Sequence, residues 1–333
     1  MPPSNVDANS ANSVSEIEPE EEPYPEVALP EEAKQLPVSQ FSEVWGYVVA
    51  GSENALRSRL PVSDAAYFGA GIDIYGNLTG VPNRRKLGNF PGRVHLVVAD
   101  NSRPLTHFIL IPGSDQRRAL VNDILRASSG FDGLQINFEN IPPKDGENFL
   151  SFLRELREGL APGQMFSVAL YARTRRIAAD VYDYAKIAPL VDRILVMGYD
   201  EHWSGSAPGP IASMGWSNRV AAHSLSVIGK EKLVMGIPFY GRAWASYNHS
   251  RAYVYSGIER IARENGVADI RRENGIPTFR YDAKITVTVY FEDVHSLSAR
   301  MEMYAAMGVA KVGFWRLGQE TPAVWNLINL GNR

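Results

Sequence analysis

A chain of 333 residues that is 45% hydrophobic and 21% charged has ordinary globular composition, with room for one large domain or two small ones. Its formal net charge of −3 gives no bulk electrostatic reason to bind nucleic acid. The absence of cysteine rules out disulfides, thiolate metal sites and a cysteine nucleophile; the six histidines are scattered with no HExxH pair, and no apolar run approaches membrane-spanning length.

Residues 1–37 stand apart. They hold nine acidic residues and one lysine, with repeated Glu-Pro and Pro-Glu steps, and read as a disordered acidic arm: a solvated tail, or a spacer from an anchor. The remainder carries 33 basic against 28 acidic residues. No secretory apolar segment follows Met1, which leaves a cytosolic chain or one whose signal has been removed.

From about Ser42 short β-branched or aromatic runs alternate with helix-period segments. The expected strands are 44–49, 66–71, 94–99, 134–139, 166–171, 194–199, 233–238 and 312–315. The clearest helix runs from about Glu147 to Leu160, with Phe149, Leu150, Phe152, Leu153 and Leu156 at helical spacing, Asp145 as N-cap and Pro162-Gly163 as its end. Another is expected over 296–307. Eight strands alternating with helices in this length predict an α/β fold, a (β/α)8 barrel over 38–333. An open doubly wound sheet is the alternative, weakened by the lack of a GxGxxG or GxxxxGK[ST] after any strand. Between the seventh and eighth strands the spacing is longest; a helix over 256–264 and β-rich patches at 278–281 and 285–291 predict a small α+β insertion, 243–293, walling one side of a cleft.

The fourth strand carries the chemistry. In Phe131-Asp132-Gly133-Leu134-Gln135-Ile136-Asn137-Phe138-Glu139-Asn140 the residues alternate with period 2, placing Gln135, Asn137 and Glu139 on one face and Leu134, Ile136 and Phe138 on the other. Three polar side chains in a row need partners if buried. Lining a cavity supplies them, and Glu139 sits last, where a barrel strand meets its ligand. Gln135 and Asn137 could instead fill the barrel with amide hydrogen bonds. Other strand ends collect aromatic and polar residues: Trp45-Gly46-Tyr47, Tyr171, Met197-Gly198-Tyr199-Asp200-Glu201-His202-Trp203, Pro238-Phe239-Tyr240-Gly241-Arg242 and Phe314-Trp315-Arg316. Aromatic faces beside carboxylates and hydroxyls suit a sugar, apolar on its ring faces and hydrogen-bonding at its edge.

These residues resemble glycoside hydrolase family 18, the chitinase-like barrels. Asp132-x-x-Gln135-x-Asn137-x-Glu139 is similar to the family's DxxDxDxE, Met197-x-Tyr199-Asp200 to its strand-six MxYD, Gly236–Arg242 to its strand-seven segment and Trp315 to its strand-eight tryptophan. Tyr199-Asp200-Glu201-His202, the segment 208–213 and Tyr290-Phe291-Glu292-Asp293 resemble the spore-cortex-lytic branch, which acts on peptidoglycan N-acetylglucosamine; the LysM repeats often found there are absent. The resemblance spans about 42–330 and implies substrate-assisted, retaining hydrolysis of β-1,4 linkages without a metal or other cofactor. It implies Glu139 as general acid/base, Tyr199 orienting the acetamide, and Asp200 binding the sugar or tuning the acid. Met197 and Trp315 shape the floor, and Gln135, Tyr47, Tyr171, Tyr240 and Arg242 join them as substrate-binding candidates.

Two positions depart from the pattern. Gln135 and Asn137 stand where the family usually has aspartate. Asn137 can accept the acetamide N–H but supplies no charge for the oxazolinium, and a charge-assisted hydrogen bond is about twice as strong as a neutral one. An active, retuned enzyme is expected; a catalytically weak or inactive carbohydrate-binding barrel is the alternative, and a scaffold using the arm and insertion is a third. The expected partner is a glycan polymer, peptidoglycan or chitin oligomers, met by a monomer in an extracytoplasmic or envelope setting.

Overall fold

The computed structural model describes residues 35–57, 59–245, 250–283 and 285–331, so the expected acidic arm lies almost wholly outside the described residues. Eight parallel strands close into a barrel: β1 (Glu43–Val49), β2 (Asp64–Ile72), β3 (Arg93–Asp100), β4 (Gly133–Phe138), β5 (Met165–Tyr171), β6 (Arg193–Met197), β7 (Leu233–Pro238) and β8 (Lys311–Trp315). Each pairs with its neighbours in chain order, and β1 pairs with both β8 and β2, which completes the circle. The open sheet is thereby excluded.

Period-2 alternation sorts the side chains into two cores. Leu134, Ile136 and Phe138 face outward to the helices, where Phe138 stacks on Phe152 of α3 (Gly146–Gly159) with ring centroids 5.5 Å apart. The inward set Trp45, Tyr47, Ala66, Val97, Ala169, Leu195, Met197 and Val234 packs the interior, as a barrel this size requires. At its N-terminal end the barrel is plugged by charge. Asp64, fully buried, accepts from Arg93 Nε at 2.5 Å and meets His95 Nε2 at 2.9 Å; Glu43 accepts from Arg193 Nε at 3.0 Å and from the Trp45 indole at 3.1 Å.

The helical layer is uneven. Among the described residues, the helical turns of the β1–β2 and β2–β3 crossovers are 3₁₀, Glu53–Ala55 and Arg84–Leu87, and the second crossover also carries a short strand, Leu78–Thr79, antiparallel to β2. Beyond them come α1 (Arg103–Ile109), α2 (Asp115–Ser128) and α3; the β5–β6 crossover has one α turn, α4 (Tyr184–Ile187), followed by the 3₁₀ turn Ala188–Leu190. α5 (Met214–Ile228) and α7 (Val294–Ala306) complete the ring. Asp145 does stand at the N-cap of α3, but its carboxylate does not cap the helix. It accepts from Asn148 Nδ2 at 2.9 Å and from His107 Nδ1 at 2.8 Å, because a 3₁₀ turn, Pro143–Asp145, leads directly into α3. A parallel ribbon of Ser39–Phe41 with Ile328–Leu330 ties the two ends of the described chain.

Between β7 and β8 the chain builds a five-stranded antiparallel sheet ordered Ser250–Tyr253, Gly241–Ala245, Thr286–Tyr290, Ile276–Asp282, Arg271–Glu273, with α6 (Tyr255–Glu264) packed against it through Ile258. Its first strand begins three residues after β7, so the sheet rises from the C-terminal mouth of the barrel.

Candidate active site

β4 ends at Phe138, and Glu139 is the next residue, its N–H still donating to the Asp100 carbonyl at 2.7 Å. The backbone then turns sharply: Asn140 has φ +55°. The ladder of alternate residues therefore climbs the barrel interior in three steps. Gln135, lowest, is fully buried; its Oε1 accepts from the Tyr47 hydroxyl and its Nε2 donates to Ser167 Oγ at 3.2 Å. Asn137 is 7% exposed; its amide N–H bonds Glu139, while its Oδ1 is buried with no partner. Glu139 is half-buried and accepts from the Tyr171 hydroxyl at 3.0 Å.

Burial pushes the Glu139 carboxyl above its ordinary range. Hydrogen bonds from Tyr171 and Asn137 pull it down, the negative charge of Asp200 pushes it up, and the balance is upward. Asp200 is itself raised by its surroundings, against the hydrogen bond from Tyr240 Oη at 2.5 Å and the nearby Arg242 charge. Burial pushes its carboxyl up, an effect moderated by water because the residue is solvent-exposed. Asp200 adopts φ +60°, an uncommon conformation for a non-glycine residue, right after the strand that ends at Met197. Tyr199 feels both carboxyls. Burial, the Tyr47 phenol and the Asp200 and Glu139 charges all raise its pKa, so it stays a proton donor. Gly236 on β7 makes room for that ring: a Cβ there would lie 3.1 Å from Tyr199 Cε1 and 2.7 Å from the Val196 carbonyl oxygen.

Trp315 closes β8, with the Trp315–Arg316 peptide cis, and its ring meets Tyr47 and Phe68, each with centroids 5.2 Å away. Met197 is 9% exposed in the same interior cluster. Tyr240, 5% exposed, meets Tyr199 edge-on at 6.3 Å. Arg242, on the first strand of the inserted sheet, reaches Ser250 Oγ at 3.4 Å; its Nε is buried and unpartnered.

The structure thus gathers Asn137, Glu139, Tyr171, Met197, Tyr199, Asp200, Tyr240, Arg242 and Trp315 at one mouth. Two expected sugar contacts are corrected. Gln135 and Tyr47 are at most 1% exposed, with the Tyr47 hydroxyl donating to Gln135 Oε1 and Gln135 Nε2 to Ser167, so they form the layer beneath the mouth, Tyr47 packing against Trp315. Sequence reasoning missed Phe68 and Tyr182. Phe68 was within reach, since it lies two residues after the inward Ala66 on β2. Tyr182 accepts the Ile141 N–H at 3.0 Å and packs edge-on against Tyr171 at 5.2 Å, from a loop with no periodic signal. Among the described residues, no group of three or more His, Cys, Asp or Glu side chains could hold a metal ion.

The putative sporulation-specific glycosylase YdhD of Bacillus subtilis (strain 168) is 33% identical over 224 residues, covering 63% of this chain and 53% of its own. A cortical fragment-lytic enzyme of Bacillus anthracis is 25% identical over 240 residues, covering 68% of this chain and 56% of its own. The chain spans about half the length of these relatives. The crystal structure of the Bacillus cereus spore cortex-lytic enzyme SleL superposes with a TM-score of 0.78 at 23% identity, covering 89% of this chain and 77% of that one, a likeness of fold. The sequence profile of Glycosyl hydrolases family 18 matches residues 101–320, two thirds of the chain, which therefore belongs to that family.

Proposed function

We propose that the protein hydrolyses β-1,4 bonds of an N-acetylglucosamine-containing glycan with retention of configuration, through the substrate's own acetamido group, and that peptidoglycan is preferred over chitin. One observation carries the mechanism: a carboxyl of raised pKa, Glu139, bonded to the N–H of an asparagine whose other amide atom, Oδ1, is buried and unsatisfied. Such an orphan acceptor costs roughly 1–3 kcal/mol, and an acetamide N–H seated over it would remove that cost.

Glu139 delivers its proton to the glycosidic oxygen as the bond from C1 breaks. The acetamido carbonyl oxygen attacks C1 from the opposite face and forms a cyclic oxazolinium. Tyr199, protonated, donates to the acetamide carbonyl and aligns it; Asn137 Oδ1 accepts the acetamide N–H. Glu139, now a carboxylate, takes a proton from the water that attacks C1 and is ready again. Trp315 floors the sugar, and Asp200 keeps the proton on Glu139 between turnovers. The preference for peptidoglycan is supported by the cortex-lytic and cortical fragment-lytic enzymes among the similar proteins.

Mass spectrometry after incubation with purified peptidoglycan and with chitin oligomers tests the proposal. Muropeptides with reducing N-acetylglucosamine ends are expected, with Glu139→Gln slowing their release by about 10²–10⁴-fold while glycan binding is kept. Intact polymer from both substrates across pH would overturn it.

A further inference from the structure

Beside the site, and outside the residues assigned to it, α1 and the turn after β4 border an open groove of about 500 Å³ lined by Arg103, Pro104, His107, Pro142, Pro143 and Lys144. That volume suits a short peptide. The groove adjoins the catalytic acid by construction. Pro142 follows Glu139 by three residues, a chain reach of at most about 10 Å. The Asp100 carbonyl, three residues before Arg103, accepts the Glu139 N–H at 2.7 Å, and Asn140 Nδ2 binds the Asn101 carbonyl at 3.0 Å, locking the two loops together.

Its charge is cationic. Arg103 and Lys144 are exposed. The acidic group of the groove wall, Asp145, is turned inward with its side chain 2% exposed, and is occupied by His107 Nδ1 and Asn148 Nδ2. With Nδ1–H given to that carboxylate, His107 Nε2 accepts from Lys144 Nζ at 3.2 Å and fixes the ammonium at the groove edge. Asp100, at the end of β3, turns its Oδ1 to the Ser102 N–H at 2.8 Å. On the loop after β5 Arg175 and Arg176 are also exposed. Among the described residues no carboxylate neutralises Arg103. Two exposed cations, one of them held by His107, beside the exposed rings of Pro104 and Pro143, match a ligand with carboxylates set among small apolar groups.

We propose that this groove binds the acidic peptide branch of peptidoglycan, with Arg103 and Lys144 taking its carboxylates and the prolines packing on its alanine methyl groups. The inference rests on the peptidoglycan reading and adds to it: the enzyme would recognise the branch as well as the sugar. A chitin chain has no carboxylate to offer there.

The test measures binding and turnover of the full chain and of Arg103→Glu/Lys144→Glu on insoluble peptidoglycan, before and after its peptides are removed by an amidase. Expected is about ten-fold weaker binding of the variant to intact wall, at most two-fold weaker binding to stripped wall, and a wild-type preference for intact wall that fades with added salt. Arg103→Gln/Lys144→Gln, milder at two exposed positions, should lie between. Equal binding of wild type and variant to intact wall overturns the proposal, as does an equal loss on both walls, which would mean contact with the sugar chain. Turnover separates the two readings: cleavage of stripped wall with no peptide dependence sinks the groove alone, whereas peptide-dependent binding without cleavage of either wall sinks the glycosidase mechanism alone.

Discussion

At the scale of single residues, the proposed chemistry depends on how burial and three neighbours divide control of one proton. Burial and Asp200 favour the protonated form of Glu139; Tyr171 and Asn137 favour the charged form. Removing the Asp200 charge with Asp200→Asn should lower the Glu139 pKa, so the alkaline limb of the kcat/KM profile moves to lower pH. Tyr171→Phe removes a donor to the carboxylate and should move that limb to higher pH. Asn137→Asp does more. It replaces an N–H donor by a second carboxylate, which raises the Glu139 pKa and adds negative charge beneath the oxazolinium. The expected gain is up to about 100-fold in kcat, with the alkaline limb displaced upward; a pH–rate series on a soluble aminosugar oligomer measures both, and an unchanged or lower kcat would contradict the role given to position 137. The polar ladder itself was legible in the sequence because alternation along a strand is a local property. Which rung meets the sugar was not: the burial of Gln135 depends on Tyr47, 88 residues away on β1, and on Ser167 of β5.

At the scale of elements, the loop bearing Asp200 is braced by a buried ion pair. Arg300 on α7 and Glu292, both with fully buried side chains, meet at 2.6 Å; Arg300 also donates to Ser217 on α5 and to the Ala212 carbonyl at 2.6 Å. Ala212 lies between Ile211, whose carbonyl accepts the Glu201 N–H at 2.8 Å, and Ser213, whose N–H binds Glu201 Oε2 at 2.6 Å. Arg300→Ala should therefore cost about 3–5 kcal/mol of stability in denaturant unfolding, because it strands the Glu292 carboxylate; Glu292→Gln with Arg300→Met should recover much of that. α7 was readable from its pattern, although its start was expected two residues late, since the Asp293–Ser296 capping box lies just upstream of the periodic stretch. The missing helices of the first two crossovers had no counterpart in the reading of strands alternating with helices. Nor did the ribbon of Ser39–Phe41 with Ile328–Leu330, whose register joins segments nearly 290 residues apart and leaves no local trace.

At the scale of the whole molecule, stability at low pH is governed by the charged plug at the barrel base. Burial acts to raise the Asp64 pKa, but hydrogen bonds and charge from His95 and Arg93 outweigh it and hold the group at about 2, against 3.8 in the open chain. A depressed carboxylate stabilises the fold above its unfolded pKa and loses that contribution as pH falls through the folded one. Asp64 should supply about 2 kcal/mol at neutral pH, declining between about pH 4 and 2. Asp64→Asn should thus lower the urea midpoint at pH 7, with the deficit shrinking toward pH 2. An equal deficit at both would assign the loss to packing.

The belt formed by Tyr47, Gln135 and Ser167 has a consequence for proton traffic. It seals the barrel under the catalytic acid with side chains already committed to one another. On the proposed mechanism, hydrogen ions would therefore reach Glu139 from the open end, by the route a sugar would take. A glycan filling that entrance would shut off bulk exchange, and the hydrogen given to the departing chain would then have to be recovered from the single water that completes the cycle.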